Sequence, residues 1–490
     1  METLDSDEKR DLCPNQQIMI VIKMGALNYF TYSTRTLILA NHEPSAAAGG
    51  GIHILALSAN DRPELTTELG RLYSQFAADA DGNGLIEYAR RSRQGFDPEM
   101  AERLVMVWDH TQDPAARISA ALQAITAETV DKNQLPVDVF YGGPGPPGKL
   151  AFLFPGQGSQ YLHMGRELLL DLSDGQAVLA ATAPLFHPNR RLQDFVFPEA
   201  EAEGGDKKTL ENRLRQTDVA QPAIGVVSRV MHRMLSRFNV FPDAAGGHSF
   251  GELPALCAGG FFGETDMLSL SVRRGQLMAA AGDGKDRGMM LAVMAPLEKI
   301  EELVRQSGLE VVLANRNSPE QGVLSGPSEA IAQMKSLCKQ NRMRAMQLPV
   351  SAAFHSRLVE DAAVPFREKI NKIAFRAGEV SVYSNTTALP YPHDPEAARA
   401  LLGEHLLQPV HFVDEIRNMY DAGVRTFLEV GPKAVLTGLV QSILGDRPHA
   451  AFSVDASAGR RGSVMDLAAT VARLAAMGYP AALGQWDRLG

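Results

Sequence analysis

The chain is predicted to be an α/β protein, and three observations predict it. Short apolar runs that end in turn residues alternate with amphipathic helices through most of the sequence. A G-x-S-x-G run, GHSFG at 247–251, follows the small residues FPDAAGG and precedes ELPALCAGG, a helix closed by Gly259 and Gly260. Residues 289–350 read in the order β-α-β-β-α-β, the ferredoxin-like arrangement, here inserted as a subdomain.

Composition narrows the classes. A chain of 490 residues has room for two to four domains, and 45% hydrophobic with 21% charged residues is the balance of an ordinary soluble globular protein. The formal charge of −9 is spread without long blocks, so no basic face is expected to take nucleic acid. Cys13, Cys257 and Cys338 are odd in number and far apart, which gives no metal spacing and no disulfide framework, and a reducing cytoplasm fits best. The start is acidic where an export signal would be basic, and the apolar run IMIVIKMGAL is short and broken by Lys23, so no membrane span is expected. Residues 1–50 carry no clear fold signal, and SAAAGGG at 45–51 reads as a linker.

From Ile52 the pattern strengthens. IHILALSA and ERLVMVWD read as strands, and ELTTELGRLYSQFAAD, LIEYARRS and DPAARISAALQAITA as helices, which makes residues 52 to about 135 a small α/β unit. LPVDVFYGGPGPPGK is expected to be a linker or extended connection. KLAFLFPGQGSQ is a buried strand running into a glycine-rich turn that lacks the lysine of a P-loop and the third glycine of a dinucleotide fingerprint. Such a turn suits a place where backbone approaches a substrate closely. The helix YLHMGRELLLDL follows, then a polar stretch to about Lys208, then the helix TDVAQPAIGVVSRVMHRML leading to the elbow. Beyond the elbow, TDMLSLSVRRGQLMAAAG is a helix carrying Arg273 and Arg274. The inserted subdomain ends at MRAMQLPVS, and AAFHSRLVE places His355 on a loop. EVSVYSNTT, HFVDEIRNMYDAG, RTFLEVGP and AVLTGLVQSIL then return the chain to the larger sheet, and VMDLAATVARLAAMGY is a terminal helix.

Ser249 is the candidate nucleophile, on a tight turn at a helix start where backbone N–H groups and the helix dipole favour an oxyanion. The five-residue pattern alone fits a structural serine in a turn equally well. Likewise, an arginine pair on a helix reads as a solvated face, and a lone histidine after a strand as a satisfied polar residue.

Seven segments, PGQGSQ, AQPA, GHSFGE, RRGQLM, NSPEQGVLSG, AAFHS and EVGP, change that balance by their order and spacing. Over about residues 150–445 the chain resembles the malonyl-CoA acyltransferase family, and more narrowly the acyltransferase domain of a polyketide or related synthase. The resemblance implies a hydrolase-like large domain with a parallel sheet and nucleophile elbow at 149–288 and 352–445, with the ferredoxin-like subdomain at 289–351. A linker domain of the kind between ketosynthase and acyltransferase is implied at 51–148, and a tail at 446–490.

Carried over to these positions, Ser249 is the nucleophile and His355 its general base, with the backbone N–H groups of Gln157 and Phe250 as oxyanion hole. Arg274, supported by Gln221, would bind the free carboxylate of the substrate, which a guanidinium can grip through two parallel bonds. A backbone carbonyl between His405 and Gln408 would orient His355. Phe354 implies a malonyl preference, whereas Ala352 departs from the histidine of malonyl-selective members, and Arg357 departs where proline is common. Phe250 after the serine resembles iterative synthases of the enediyne or polyunsaturated fatty acid type. The resemblance implies transfer of malonyl from malonyl-CoA to the phosphopantetheine thiol of an acyl carrier protein, with a ketosynthase and other synthase domains as further partners. No metal and no permanently bound cofactor are implied. A serine hydrolase or proofreading thioesterase shares the elbow and the histidine but has no need of Arg274.

Overall fold

The computed structural model describes residues 51–77, 83–145, 147–187, 189–199, 206–281, 286–350 and 352–489. The expectations for residues 1–50 lie outside them. Strand β1 (Ile52–Ala59) pairs antiparallel with β2 (Glu102–Asp109), as the two apolar runs suggested. A third strand, β3 (Val139–Gly142), joins the other edge of β2, in the stretch expected to be a linker or extended connection. Its four residues VFYG are too short a run to stand out beside the proline and glycine that follow. Alternation along β1 and β2 divides their side chains between two faces. Leu55, Leu57, Leu104 and Met106 meet Leu65, Leu69 and Ile118 of the intervening helices. Ile54, Ala56, Val105 and Val107 belong instead to the main core, with residues of the Ser463–Met477 helix. Arg103 Nε donates to the Ala476 carbonyl at 3.0 Å, and Trp486 Nε1 to the Ile52 carbonyl at 3.0 Å, so the tail is fastened to both of these strands.

β4 (Lys149–Phe154) and β5 (Ala244–Gly247) begin the larger sheet. The segment between them is more helical than expected. Its polar stretch holds helices Ser173–Phe186, Leu192–Val196 and Lys207–Arg215, the first of which is alanine-rich, includes Pro184 and has little polar contrast between its faces. The helix expected from Tyr161 starts only at Arg166, because His163 and Gly165 take left-handed φ of 67° and 64°.

The insertion comprises β6 (Met289–Met294), β7 (Val312–Ser318), β8 (Gln321–Gly326) and β9 (Arg344–Gln347), in the spatial order β7-β8-β6-β9 and antiparallel throughout. Helices Leu297–Ser307 and Ser328–Gln340 cover one face, which is the ferredoxin-like topology. The chain then returns as β10 (Ser381–Val382), β11 (Val424–Glu429) and β12 (Ala450–Ser453), giving a five-stranded parallel sheet in the order β10-β5-β4-β11-β12. The fifth strand lies beyond the expected boundary at 445, so part of the presumed tail is sheet. Phe152 and Phe154 of β4 face one core layer, and Ala151 and Leu153 the other. Burial on both faces explains why the run AFLF is apolar without alternation. Among the described residues no helix is long and apolar enough to cross a membrane.

Candidate active site

The elbow forms where β5 ends. Ser249 has φ of 52°, and the short helical turn Ser249–Gly251 leads into helix Glu252–Ala258. The flanking glycines serve clearance, since only the serine between them is left-handed. A Cβ on Gly251 would lie 1.8 Å from the Phe154 carbonyl oxygen, and one on Gly247 would lie 2.2 Å from the Gly251 backbone. The glycine-rich turn after β4 comes equally close, because a Cβ on Gly156 would sit 2.4 Å from the His248 carbonyl oxygen. Three glycines therefore let the ends of β4 and β5 meet.

His355, also left-handed at φ 58°, stands on the loop after β9 with its Nε2 2.7 Å from Ser249 Oγ. Its Nδ1 is 2.9 Å from the Gln408 carbonyl, which can only accept. The Nδ1–H therefore donates to Gln408, and Nε2 is left as the acceptor of the serine proton. Of the segment expected to orient this ring, Gln408 supplies the near carbonyl. The His405 side chain is itself buried, with Nδ1 3.0 Å from the Leu402 carbonyl. Burial, and then the Arg274 charge, push the His355 imidazole down to about 3, so it is neutral at physiological pH.

Arg274 is 1% exposed, whereas its neighbour Arg273 is exposed, so the solvated-face reading describes only Arg273. Arg274 Nη2 donates to Ser249 Oγ at 3.3 Å, and the guanidinium lies 6.0 Å from the centre of the Phe250 ring. Burial draws it down to about 9, which leaves it a cation at neutral pH, and the opposing charge it feels is that of Glu252. Its Nε and the Oε1 of Gln221 are both buried without a hydrogen-bond partner among the described residues, while Gln221 Nε2 reaches Met278 Sδ at 3.4 Å. A buried cation with a spare donor beside a nucleophile suits an anionic ligand group.

A cavity of about 230 Å³ opens on Ser249 and His355. Its walls are the turn Pro155–Ser159, the open face of the inserted sheet (Met290, Val323) with Leu348 and Val350, and Leu436 and Leu439 of the helix after β11. Phe354 lines it, whereas Ala352 is buried in the core. Among the described residues the N–H groups of Gln157 and Phe250 make no cap or loop hydrogen bond. The Gln157 side chain is tied back, its Nε2 donating to Thr217 Oγ1 at 3.3 Å. Sequence reasoning missed Asn385, whose Oδ1 accepts the Ser249 N–H at 2.6 Å. Its only signal was a polar residue just past the carboxyl end of a strand in an α/β sheet.

Residues 151–467 match the family model described as acyl transferase domain. The chain belongs to the acyl transferase family. It is 32% identical over 299 residues to the malonyl CoA-acyl carrier protein transacylase of Bacillus subtilis, spanning 60% of this chain and 90% of that protein. Over 360 residues it is 32% identical to a polyunsaturated fatty acid synthase polypeptide of a Thraustochytrium species, covering 69% of this chain but only 12% of that much longer one. Among solved structures, the acyltransferase domain from the second module of the salinomycin polyketide synthase aligns with a TM-score of 0.65 at 29% identity, covering 85% of this chain and 92% of that one. Fold and family therefore agree on this acyltransferase, whose elbow faces the inserted sheet across the cleft.

Proposed function

We propose that this acyltransferase takes malonyl from malonyl-CoA onto Ser249 and passes it to the phosphopantetheine thiol of an acyl carrier protein, within or beside a polyketide or fatty acid synthase. The observation that carries the reading is the meeting of three side chains from distant segments at one hydroxyl: Ser249 and His355 line the cavity, and the buried Arg274 guanidinium donates to Ser249 Oγ from behind it. His355 Nε2 takes the hydroxyl proton as Ser249 Oγ attacks the thioester carbonyl, and the N–H groups of Gln157 and Phe250 receive the oxyanion. Collapse breaks the C–S bond, the departing thiolate takes the proton from His355, and a malonyl-serine ester remains. The carrier thiol then gives its proton to His355 and attacks the ester, and Ser249 recovers its proton as it leaves. The two half-reactions make a ping-pong scheme.

Arg274, with Gln221 in support, would hold the free carboxylate, and Phe354 would crowd an α-methyl branch. A carboxylate on Arg274 also offsets the charge that helps depress His355, so the proper substrate makes its own base stronger. A hydrolase of simple acyl groups would leave a buried cation with nothing to bind. Intact-mass measurement after mixing with malonyl-CoA tests the proposal: an adduct on the natural chain and none on Ser249→Ala is expected, and an adduct that survives Ser249→Ala would refute it. Adding an acyl carrier protein should discharge the adduct faster than water does; discharge at the rate of hydrolysis alone would favour the hydrolase.

A further inference from the structure

Beneath the elbow lies a buried polar cluster that the transfer chemistry above does not use. Asn385 is 2% exposed, and Glu252 and Glu415 are wholly buried. Asn385 follows β10, whose pairing with β5 carries it under the nucleophile turn. Its backbone is fixed as well, because its carbonyl accepts the His411 N–H at 2.9 Å and its own N–H donates to Glu252 Oε1 at 3.3 Å. The side chain spans the turn: Oδ1 accepts the Ser249 N–H at 2.6 Å, and Nδ2 donates to the Gly247 carbonyl at 2.5 Å and to Glu415 Oε2 at 2.8 Å. A backbone N–H only donates and a carbonyl only accepts, so this contact sets the amide orientation and suits a carboxamide specifically.

We propose that Asn385 is a positioning residue for the nucleophile: seated on Glu252 and Glu415, it clamps the two successive peptides that join Gly247 to Ser249, on the amino side of the left-handed residue, and so aims Oγ at His355. The inference rests on Ser249 being the nucleophile. A non-glycine residue in the left-handed region is strained, and paired bonds to the two peptides leading into Ser249 oppose its relaxation. By taking up the Ser249 N–H, the amide also leaves the N–H of Phe250 as the elbow's donor to an oxyanion. The seat is apolar enough that Glu252 Oε2 and Glu415 Oε1 have no hydrogen-bond partner among the described residues, and two ionised carboxylates there would repel. Burial raises both acids. The groups facing them are the Tyr391 and Ser384 hydroxyls on Glu252, the Arg274 charge, which favours ionised Glu252, and Tyr383 beside Glu415. A carboxamide lets the turn rest on these acids without adding a third ionisable group.

Single-turnover acylation of Ser249 by malonyl-CoA, read by intact mass, tests the clamp. Asn385→Ala should acylate about tenfold or more slowly at saturating malonyl-CoA, with the half-saturating concentration within about threefold, because the carboxylate site is untouched. Asn385→Asp is isosteric and makes the same pair of bonds only while its carboxyl is protonated. Its rate relative to the natural chain should therefore rise as pH falls from about 9 to about 6. A saturating rate for Asn385→Ala within about threefold of the natural chain, or an Asn385→Asp ratio that does not change with pH, would overturn the proposal. If Asn385→Ala shows no cooperative melt, the isosteric Asp variant decides alone. Should the natural chain form no malonyl adduct, the function proposed above is wrong, and the same variants are then compared by their rate of labelling with a fluorophosphonate.

Discussion

Replacing Arg274 with alanine separates substrate recognition from the nucleophile chemistry. The guanidinium is 1% exposed and its hydrogen bond in the cleft is to Ser249 Oγ at 3.3 Å, so its removal leaves the dyad's 2.7 Å contact in place. A malonyl carboxylate entering the emptied site would be buried without its partner, a loss of about 2–5 kcal/mol. At about 1.4 kcal/mol per factor of ten, kcat/KM for malonyl-CoA should fall roughly 30-fold to several thousand-fold. Acetyl-CoA has no such carboxylate, so its transfer to Ser249 should hold steady or rise. The folded protein should also gain stability from Arg274→Met, since the buried cation has an unpartnered Nε and no carboxylate hydrogen-bonded to it among the described residues, and an apolar chain of similar length avoids that desolvation. The assay is the rate of adduct formation with each thioester, alongside a thermal melt of both variants. Malonyl labelling of Arg274→Ala within about threefold of the natural chain, or equal losses with malonyl and acetyl, would refute the assignment of Arg274.

Three further predictions follow from the same geometry. His355→Gln should slow acylation by about 10²–10⁴-fold, and in the natural chain kcat/KM should stay level from about pH 8 down to about pH 5.5, because burial keeps the imidazole neutral across that window; a loss with its midpoint near that of a free imidazole would contradict the burial argument. Phe354→Ala widens a cleft wall and should raise methylmalonyl loading relative to malonyl by about 1–3 kcal/mol, or roughly 5- to 140-fold, in a competition between the two thioesters. Gly251→Ala forces a methyl to within 1.8 Å of a backbone oxygen that cannot move without the strand, so it should lower the melting midpoint and abolish labelling together, whereas Gly263→Ala, with open space at its Cβ, should do neither.

Much of this was legible because its signals are local. The order of strands and helices in 289–350 and the elbow between its glycines each depend on neighbours in sequence. What escaped depends on distant partners. β3 is a strand only because β2 offers it an edge, and β12 because β11 does. The helix Ser173–Phe186 buries only Gly175, Val178, Thr182 and Phe186 and exposes Ala177, Ala180, Ala183 and Pro184, so its outer face is nearly as apolar as its inner one and its periodicity is weak. At the site, residues on short motifs were named, and Asn385 was not, since nothing about an asparagine after EVSVYS shows that β10 will slide it under a turn more than a hundred residues earlier.

Distant partners also explain how the dyad can be strained and still well placed. Ser249 and His355 both have positive φ, at 52° and 58°, and neither is glycine, so together they store a few kcal/mol, about 1–2 for each. Each is over-determined by its surroundings. Asn385 and the close approach of Gly247 and Gly251 confine the serine. Gln408 holds the imidazole, and the next residue, Ser356, donates from its hydroxyl to the Ala353 carbonyl at 2.6 Å, while the Ala353 N–H donates to the Arg287 carbonyl at 2.9 Å. The serine is thus tied to the parallel sheet, and the loop bearing the histidine is tied to Arg287, just before the inserted subdomain begins. Closing the 2.7 Å gap between Oγ and Nε2 is a property of how the insertion docks on the sheet, and substitutions that shift that docking should lower the rate even where they touch neither member of the pair.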